Sequence, residues 1–173
     1  MKALVIIDVQ MGMFTMPGYT PHDGDAAVAR IADVLKRART KGVPVFFVQH
    51  AGDKGDALEQ GTPGFPFRSE LAPRDGESVT VKRHCSAFQN TNFDQALKRA
   101  DIDHLIVCGM QTEFCIDTSV RSAYERGYKV TLISDGHTTF DTRTLPAAGV
   151  IAHHNATLGG SFAELMTAED VTF

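Results

Sequence analysis

Five places in this 173-residue sequence set an acid, a base, a cation or a nucleophile directly after an apolar run. They are Asp8 and Gln10; Gln49 and His50; Lys82, Arg83, His84 and Cys85; the turn Gly109–Cys115; and Asp135 with His137. Cys115 carries the most chemistry. It follows the turn Gly109–Phe114 and stands at the start of a helical pattern. A helix start offers unpaired N–H groups and a partial positive charge, which favour a thiolate and are expected to depress the thiol pKa. Such a cysteine is a nucleophile, whereas the same residue packed under a sheet is only a small hydrophobe. Position alone does not choose between the two. Asp8 either caps a turn or is partly buried at a strand end, where a carboxylate suits proton transfer. Lys82 is either a solvated strand-end charge or the cation of such a group. Cys85 and Cys108 read as structural, Cys108 as core.

These residues must be brought together by strands and helices. Strand-like runs occur at Ala3–Ile7, Val43–Val48, Val79–Val81, His104–Val107 and Val130–Ile133, with a short sixth expected at Val171–Phe173. The runs are nearly continuous, as in parallel strands covered on both faces. Helical spacing of apolar residues fills Asp25–Arg39, Asn92–Ala100 and Phe114–Arg126. The alternation predicts an α/β protein with a parallel sheet, and ligands of such sheets bind beyond the carboxyl ends of the strands. The segment Ala51–Gly76 breaks the rhythm with eight Gly and Pro residues. It is expected to form a flap over the site; the alternative is a surface excursion held down by two buried aromatics, Phe65 and Phe67.

Composition removes several classes of function. Lys plus Arg is 17 and Asp plus Glu is 21, a net charge of −4, which argues against a nucleic-acid partner. No apolar run approaches the roughly 20 residues that span a bilayer, so no membrane partner is expected. Met1–Asp8 is not followed by a small-residue cleavage site, so it does not read as a signal peptide. Three cysteines without a CxxC pair fit a reducing cytoplasm better than a disulfide framework or zinc ribbon. The turn Asp8–Phe14, DVQMGMF, has neither of the glycine patterns that cradle a nucleotide's phosphates.

Three motifs narrow the reading further: IIDVQ at Ile6–Gln10, VKRHCSAF at Val81–Phe88 and GMQTEFCI at Gly109–Ile116. In this order, with QH after the second strand and SDG after the fifth, the sequence resembles the isochorismatase-like cysteine hydrolase family. That family includes nicotinamidases and N-carbamoyl amidohydrolases. The resemblance covers nearly the whole chain. It implies one domain over 1–173, with a three-layer, Rossmann-like architecture. The sheet would be mainly parallel, of about six strands, with helices on both faces.

It also implies a catalytic triad of Asp8 as base, Lys82 as cation and Cys115 as nucleophile. The backbone N–H groups of Gln111 and Cys115 would form an oxyanion hole, with the Met110–Gln111 peptide cis. The reaction implied is hydrolysis of a C–N bond in a small amide or ureide through a thioester, without a cofactor. Family members that act on isochorismate usually carry a small residue at the cysteine position, so Cys115 favours the amide chemistry. Hydrolysis of a non-amide substrate and a silent interaction subunit remain the alternatives. A substrate pocket is expected from Gln10, Phe14, His50, Phe65, His84 and His137, together with a neighbouring subunit of a homo-dimer or tetramer. The loop after the second strand reads QHAGDKGDALEQG, with one histidine, and so does not support the metal site of nicotinamidases.

Overall fold

The computed structural model describes all residues from Met1 to Phe173. Six strands form one sheet: β1 (Lys2–Ile7), β2 (Val45–His50), β3 (Ser78–Lys82), β4 (His104–Met110), β5 (Lys129–Thr138) and β6 (Glu164–Met166). The spatial order is β3-β2-β1-β4-β5-β6, and every neighbouring pair is parallel. The helices are α1 (Met11–Thr15), α2 (Gly24–Thr40), α3 (Phe93–Arg99), α4 (Asp117–Glu125) and α5 (Ala147–Gly159).

The three layers follow from the pleat, which sends successive side chains to opposite faces. Leu4 and Ile6 of β1, Phe47 of β2 and Ile106 of β4 pack against Val28, Ile31 and Leu35 of α2. Val5 and Ile7, Phe46 and Val48, and Leu105 and Val107 pack on the other face. There they meet Phe93 and Leu97 of α3, Val120 and Ala123 of α4, and Leu158 of α5. Full burial of a side chain such as Phe47 contributes about 1.5–3 kcal/mol. Both faces are covered, which is why the inner strands read as unbroken apolar runs. The edge strand β3 departs from that pattern: Val79 and Val81 are exposed, while Thr80 and Lys82 are buried.

The chain reverses its direction of travel across the sheet between β1 and β4. This switch point leaves a crevice at the carboxyl ends of the two strands. The sixth strand is Glu164–Met166, not Val171–Phe173. Glu164 and Leu165 are exposed at the sheet edge, and a strand of three residues is too short to stand out as a run. Val171 is instead buried beside α2, where its carbonyl accepts from Arg37 Nη1 at 2.7 Å. The periodicity also missed α1, which has five residues, and α5. Few residues of α5 are buried, Ala147, Val150 and Leu158 among them, so no stripe is visible in its sequence. No helix is long and apolar enough to cross a membrane.

Candidate active site

The site is assembled at the carboxyl ends of β1, β2 and β3 and in the turn after β4. β1 ends at Ile7, and Asp8 takes a left-handed conformation with φ 53°, which Asp tolerates better than most residues. Its N–H donates to Val48 O at 2.9 Å, and its carbonyl accepts from Gln10 N–H at 2.9 Å. The carboxylate is fully buried, with Oδ2 2.6 Å from Lys82 Nζ. Beyond this ion pair, neither Asp8 oxygen accepts an aligned hydrogen bond, so lone pairs remain free for a proton.

Lys82 Nζ also donates to Cys115 Sγ at 3.0 Å and lies 3.3 Å from His50 Nδ1. The donor atoms of Asp8, His50 and Cys115 all fall within 4.8 Å of one another. Burial pulls the Lys82 pKa down, but the Asp8 carboxylate and Cys115 outweigh it and hold the ammonium above its ordinary range. The expected depression of the Cys115 thiol is overturned. Burial, reinforced by the Asp8 charge, pushes the thiol up, and Lys82 opposes both. A thiol held this way needs a proton acceptor beside it before its sulfur can act as a nucleophile.

Asp8, His50 and Cys115 are also the set of side chains that could hold a metal ion. Lys82 Nζ is already in contact with each of them. The donors are thus arranged around an ammonium, and a divalent ion among them would meet its repulsion.

The turn that carries Cys115 begins at Gly109, whose φ is 129°. A Cβ there would lie 2.0 Å from Ile7 O, so only glycine lets β4 pass β1 this closely. The Met110–Gln111 peptide is cis. Thr112–Ile116 then forms a single wide π turn, with Ile116 N–H donating to Gln111 O at 3.1 Å, and α4 continues from it. The Gln111 N–H donates to no backbone group of the chain.

Thr112 is fully buried, and its hydroxyl meets His137 Nδ1 at 2.9 Å. His137 Nε2 meets Asn155 Oδ1 at 2.9 Å, and Asn155 Nδ2 donates to Ser134 O at 2.9 Å. Because Asn155 presents its oxygen, His137 donates from Nε2 and accepts at Nδ1 from Thr112. Burial lowers the pKa of His137 and keeps it neutral. An irregularity in β5 pairs His137 with Gly109 and brings the ring to this turn. His137 thus braces the turn that leads to Cys115.

The other expected pocket residues divide in two. Gln10 is fully buried, and its amide is spent on main chain: Nε2 donates to His50 O at 3.0 Å and to Phe65 O at 2.7 Å, and Oε1 accepts from His50 N–H at 2.9 Å. Phe65 contributes that carbonyl, which also accepts from Gln49 Nε2 at 2.8 Å. Phe14 is half-buried under the Arg68 guanidinium, 4.6 Å from its ring centre. His84 is exposed and meets only Asn90, at 3.4 Å. Cys85, read as structural, is also exposed, whereas Cys108 is core.

The Ala51–Gly76 loop is tied to the segment after β1. Met11 N–H donates to Pro66 O, Gly12 N–H to Gly64 O and Arg68 N–H to Val9 O, at 2.8, 2.8 and 3.0 Å. Phe67 packs edge-on against Phe47. At these points the loop is held to the segment after β1 and to β2. A cleft of about 740 Å³ lined by Arg39, Pro44, Phe46, Arg74, Asn92 and Arg99 lies at the amino ends of β2 and β3, away from these groups. Sequence reasoning missed Asn155, because it sits on the helix that showed no stripe.

Residues 2–170 match the isochorismatase domain family. The chain is 32% identical over 173 residues to the uncharacterized isochorismatase family protein YddQ of Bacillus subtilis, covering 96% of each chain. It is 33% identical to a streptothricin hydrolase of Streptomyces noursei over 85% of this chain and 57% of the relative. It is 27% identical to the ureidoacrylate amidohydrolase RutB of Azorhizobium caulinodans, over 77% of this chain and 74% of the relative. Among solved structures, an isochorismatase from Pseudomonas putida superposes with a TM-score of 0.92 at 32% identity, covering 99% and 90% of the two chains. A cysteine hydrolase from Pseudomonas syringae pv. phaseolicola superposes with a TM-score of 0.91 at 26% identity, covering 98% and 89%.

Proposed function

The chain belongs to the isochorismatase family of hydrolases, and we propose that within it this protein cleaves the C–N bond of a small amide or ureide through a thioester on Cys115. The observation that carries the proposal is the contact of one buried ammonium, Lys82 Nζ, with both Asp8 Oδ2 and Cys115 Sγ. The named activities of the streptothricin hydrolase and ureidoacrylate amidohydrolase relatives support amide chemistry.

Cys115 sulfur attacks the carbonyl carbon, and its proton passes to Asp8. Lys82 offsets the negative charge shared by carboxylate and sulfur during the transfer. The carbonyl electrons move onto oxygen. The N–H groups of Gln111 and Cys115 are the donors for that oxyanion, each worth about 3–4 kcal/mol in the transition state. Collapse of the intermediate expels the amine, which takes the proton back from Asp8, and leaves the thioester. Water then attacks the thioester and gives a proton to Asp8. The acid departs, and the proton returns to the sulfur.

We place the protein in the cytoplasm as a homo-oligomer. Three free cysteines, one exposed, suit a reducing compartment. Half-exposed Phe114, beside the nucleophile, and exposed Tyr124 leave apolar surface for a second copy.

The test is a screen of ammonia or amine release over small amides and ureides, followed by intact mass of the enzyme quenched during turnover. An acyl adduct on Cys115, and no turnover by Cys115→Ala, are expected. Hydrolysis of isochorismate with no adduct would overturn the reading.

A further inference from the structure

We propose that His50 is the positioning residue for the Lys82 ammonium, a neutral imidazole that accepts at Nδ1 and fixes the direction of the other two N–H groups. The inference rests on the cysteine-hydrolase reading above and extends it to a fourth residue.

An ammonium has three N–H groups and no other way to satisfy them once it is buried. Lys82 is buried, and its three neighbours are Asp8 Oδ2, Cys115 Sγ and His50 Nδ1. The first two gain and lose protons in the reaction. His50 is the one acceptor that does not take part, so it holds the ammonium while the others change charge. Without it, one buried N–H is left unpaired and the ammonium is free to swing toward Asp8 alone.

Lys can only donate, so Nδ1 must carry the lone pair and the ring proton must sit on Nε2. The Lys82 contact is the ring's one hydrogen-bond contact within the chain.

The surroundings hold His50 in place for this role. His50 and Lys82 are register partners across β2 and β3, which puts their side chains on one face as neighbours. Gln10 clasps both main-chain groups of His50 with its one amide. Gln10 is in turn tied to Phe65 O, so the clasp is anchored to the Ala51–Gly76 loop.

A proton on Nδ1 would remove the acceptor and set two cations against each other. The charges that act on the ring are Lys82 at the end of β3 and Arg83 just after it, which repel a proton, and Asp8 and Asp56, which attract one. Cys115 Sγ, within 4.8 Å of a ring nitrogen, completes the surroundings. Burial, helped by Lys82, prevails and keeps the His50 pKa below its ordinary 6.5.

The experiment joins a spectroscopic arm to a kinetic one. In the full-length protein with 15N-labelled histidine, the ring nitrogens report tautomer and titration directly. We expect the Nε2–H tautomer, titrating below 6.5, and in Lys82→Met a higher titration point with a relaxed tautomer preference. An Nδ1–H tautomer, or titration unmoved by Lys82→Met, overturns the proposal.

The kinetic probe is p-nitrophenyl acetate, an activated ester that acylates a nucleophilic cysteine, used in a Cys85→Ser background. His50→Leu should slow the acylation burst by roughly 10- to 100-fold, the scale of a misplaced catalytic group. His50→Asn, which returns an acceptor oxygen near Nδ1, should recover most of that loss. Equal bursts in wild type, His50→Leu and His50→Asn would overturn the His50 assignment alone. An undiminished burst in Cys115→Ala would instead overturn the cysteine reading on which it rests.

Discussion

Lys82 Nζ lies 2.6 Å from Asp8 Oδ2 although their strands, β3 and β1, are separated by β2. Two strand spacings are about 9.5 Å, a gap that a long side chain must bridge over the end of β2. Both side chains are wholly out of solvent.

Breaking this pair from one side should cost more than removing it. Lys82→Met leaves a buried carboxylate without its cation and should destabilise the fold by about 3–5 kcal/mol. The double variant Asp8→Asn/Lys82→Met should recover much of that stability and no activity. Urea unfolding of the two variants checks this. A double variant no more stable than Lys82→Met would show that the charge is not what the pair contributes.

The three cysteines should react in an order set by exposure and not by acidity. Cys85 is exposed, Cys115 is 8% exposed with its thiol pushed up by burial, and Cys108 has no exposure. Brief treatment with iodoacetamide at neutral pH, read by peptide mass spectrometry, should label Cys85 first, Cys115 later and Cys108 only on unfolding. Labelling of Cys115 ahead of Cys85 would mean that the resting sulfur is a thiolate.

His137 should matter to rate and to acid stability together. His137→Ala leaves the buried Thr112 hydroxyl unpaired, at a cost of about 1–3 kcal/mol, and loosens the turn that carries Cys115. Burial lowers the pKa of His137 in the folded protein, and the unfolded chain returns it to its ordinary 6.5. The unfolded state therefore binds the proton more tightly. The stability is present above about pH 6.5 and is lost as pH falls below it. His50 and His104, also lowered by burial, act with the same sign. Melting temperatures across pH 8 to 5 should fall, and His137→Asn should flatten part of the decline. A flat profile for the wild-type protein would contradict the assignment.

Gly109→Ala should be among the most damaging single-methyl changes in the chain. The new Cβ would sit 2.0 Å from Ile7 O, on backbone that is paired in the middle of the sheet. The φ of 129° is unfavourable for alanine as well. A loss of at least about 3 kcal/mol is expected, since neither strand can move aside. A denaturation midpoint close to wild type would show that the two strands can separate.

Local chemistry made much of this protein legible from its sequence. Continuous apolar runs mark strands covered on both faces, and their carboxyl ends locate Asp8, His50, Lys82 and the Cys115 turn. The failures have physical causes. β6 and α5 bury few residues, so their sequences carry no clear period. β3 reads Val79, Thr80, Val81, Lys82, and by polarity alone the valines belong inside and the lysine outside. The edge position reverses this, because the site lies on the face that Thr80 and Lys82 share, and an ion pair with Asp8 offsets the burial of the ammonium. The acidity of Cys115 departs from the expectation for a related reason. A turn at a helix start is visible in sequence, but burial beside Asp8 depends on strands brought together from distant parts of the chain. Residue types and strand ends are local properties written in the sequence. Which charge faces which, and how little water lies between them, is decided only when β1, β2, β3 and the turn after β4 converge.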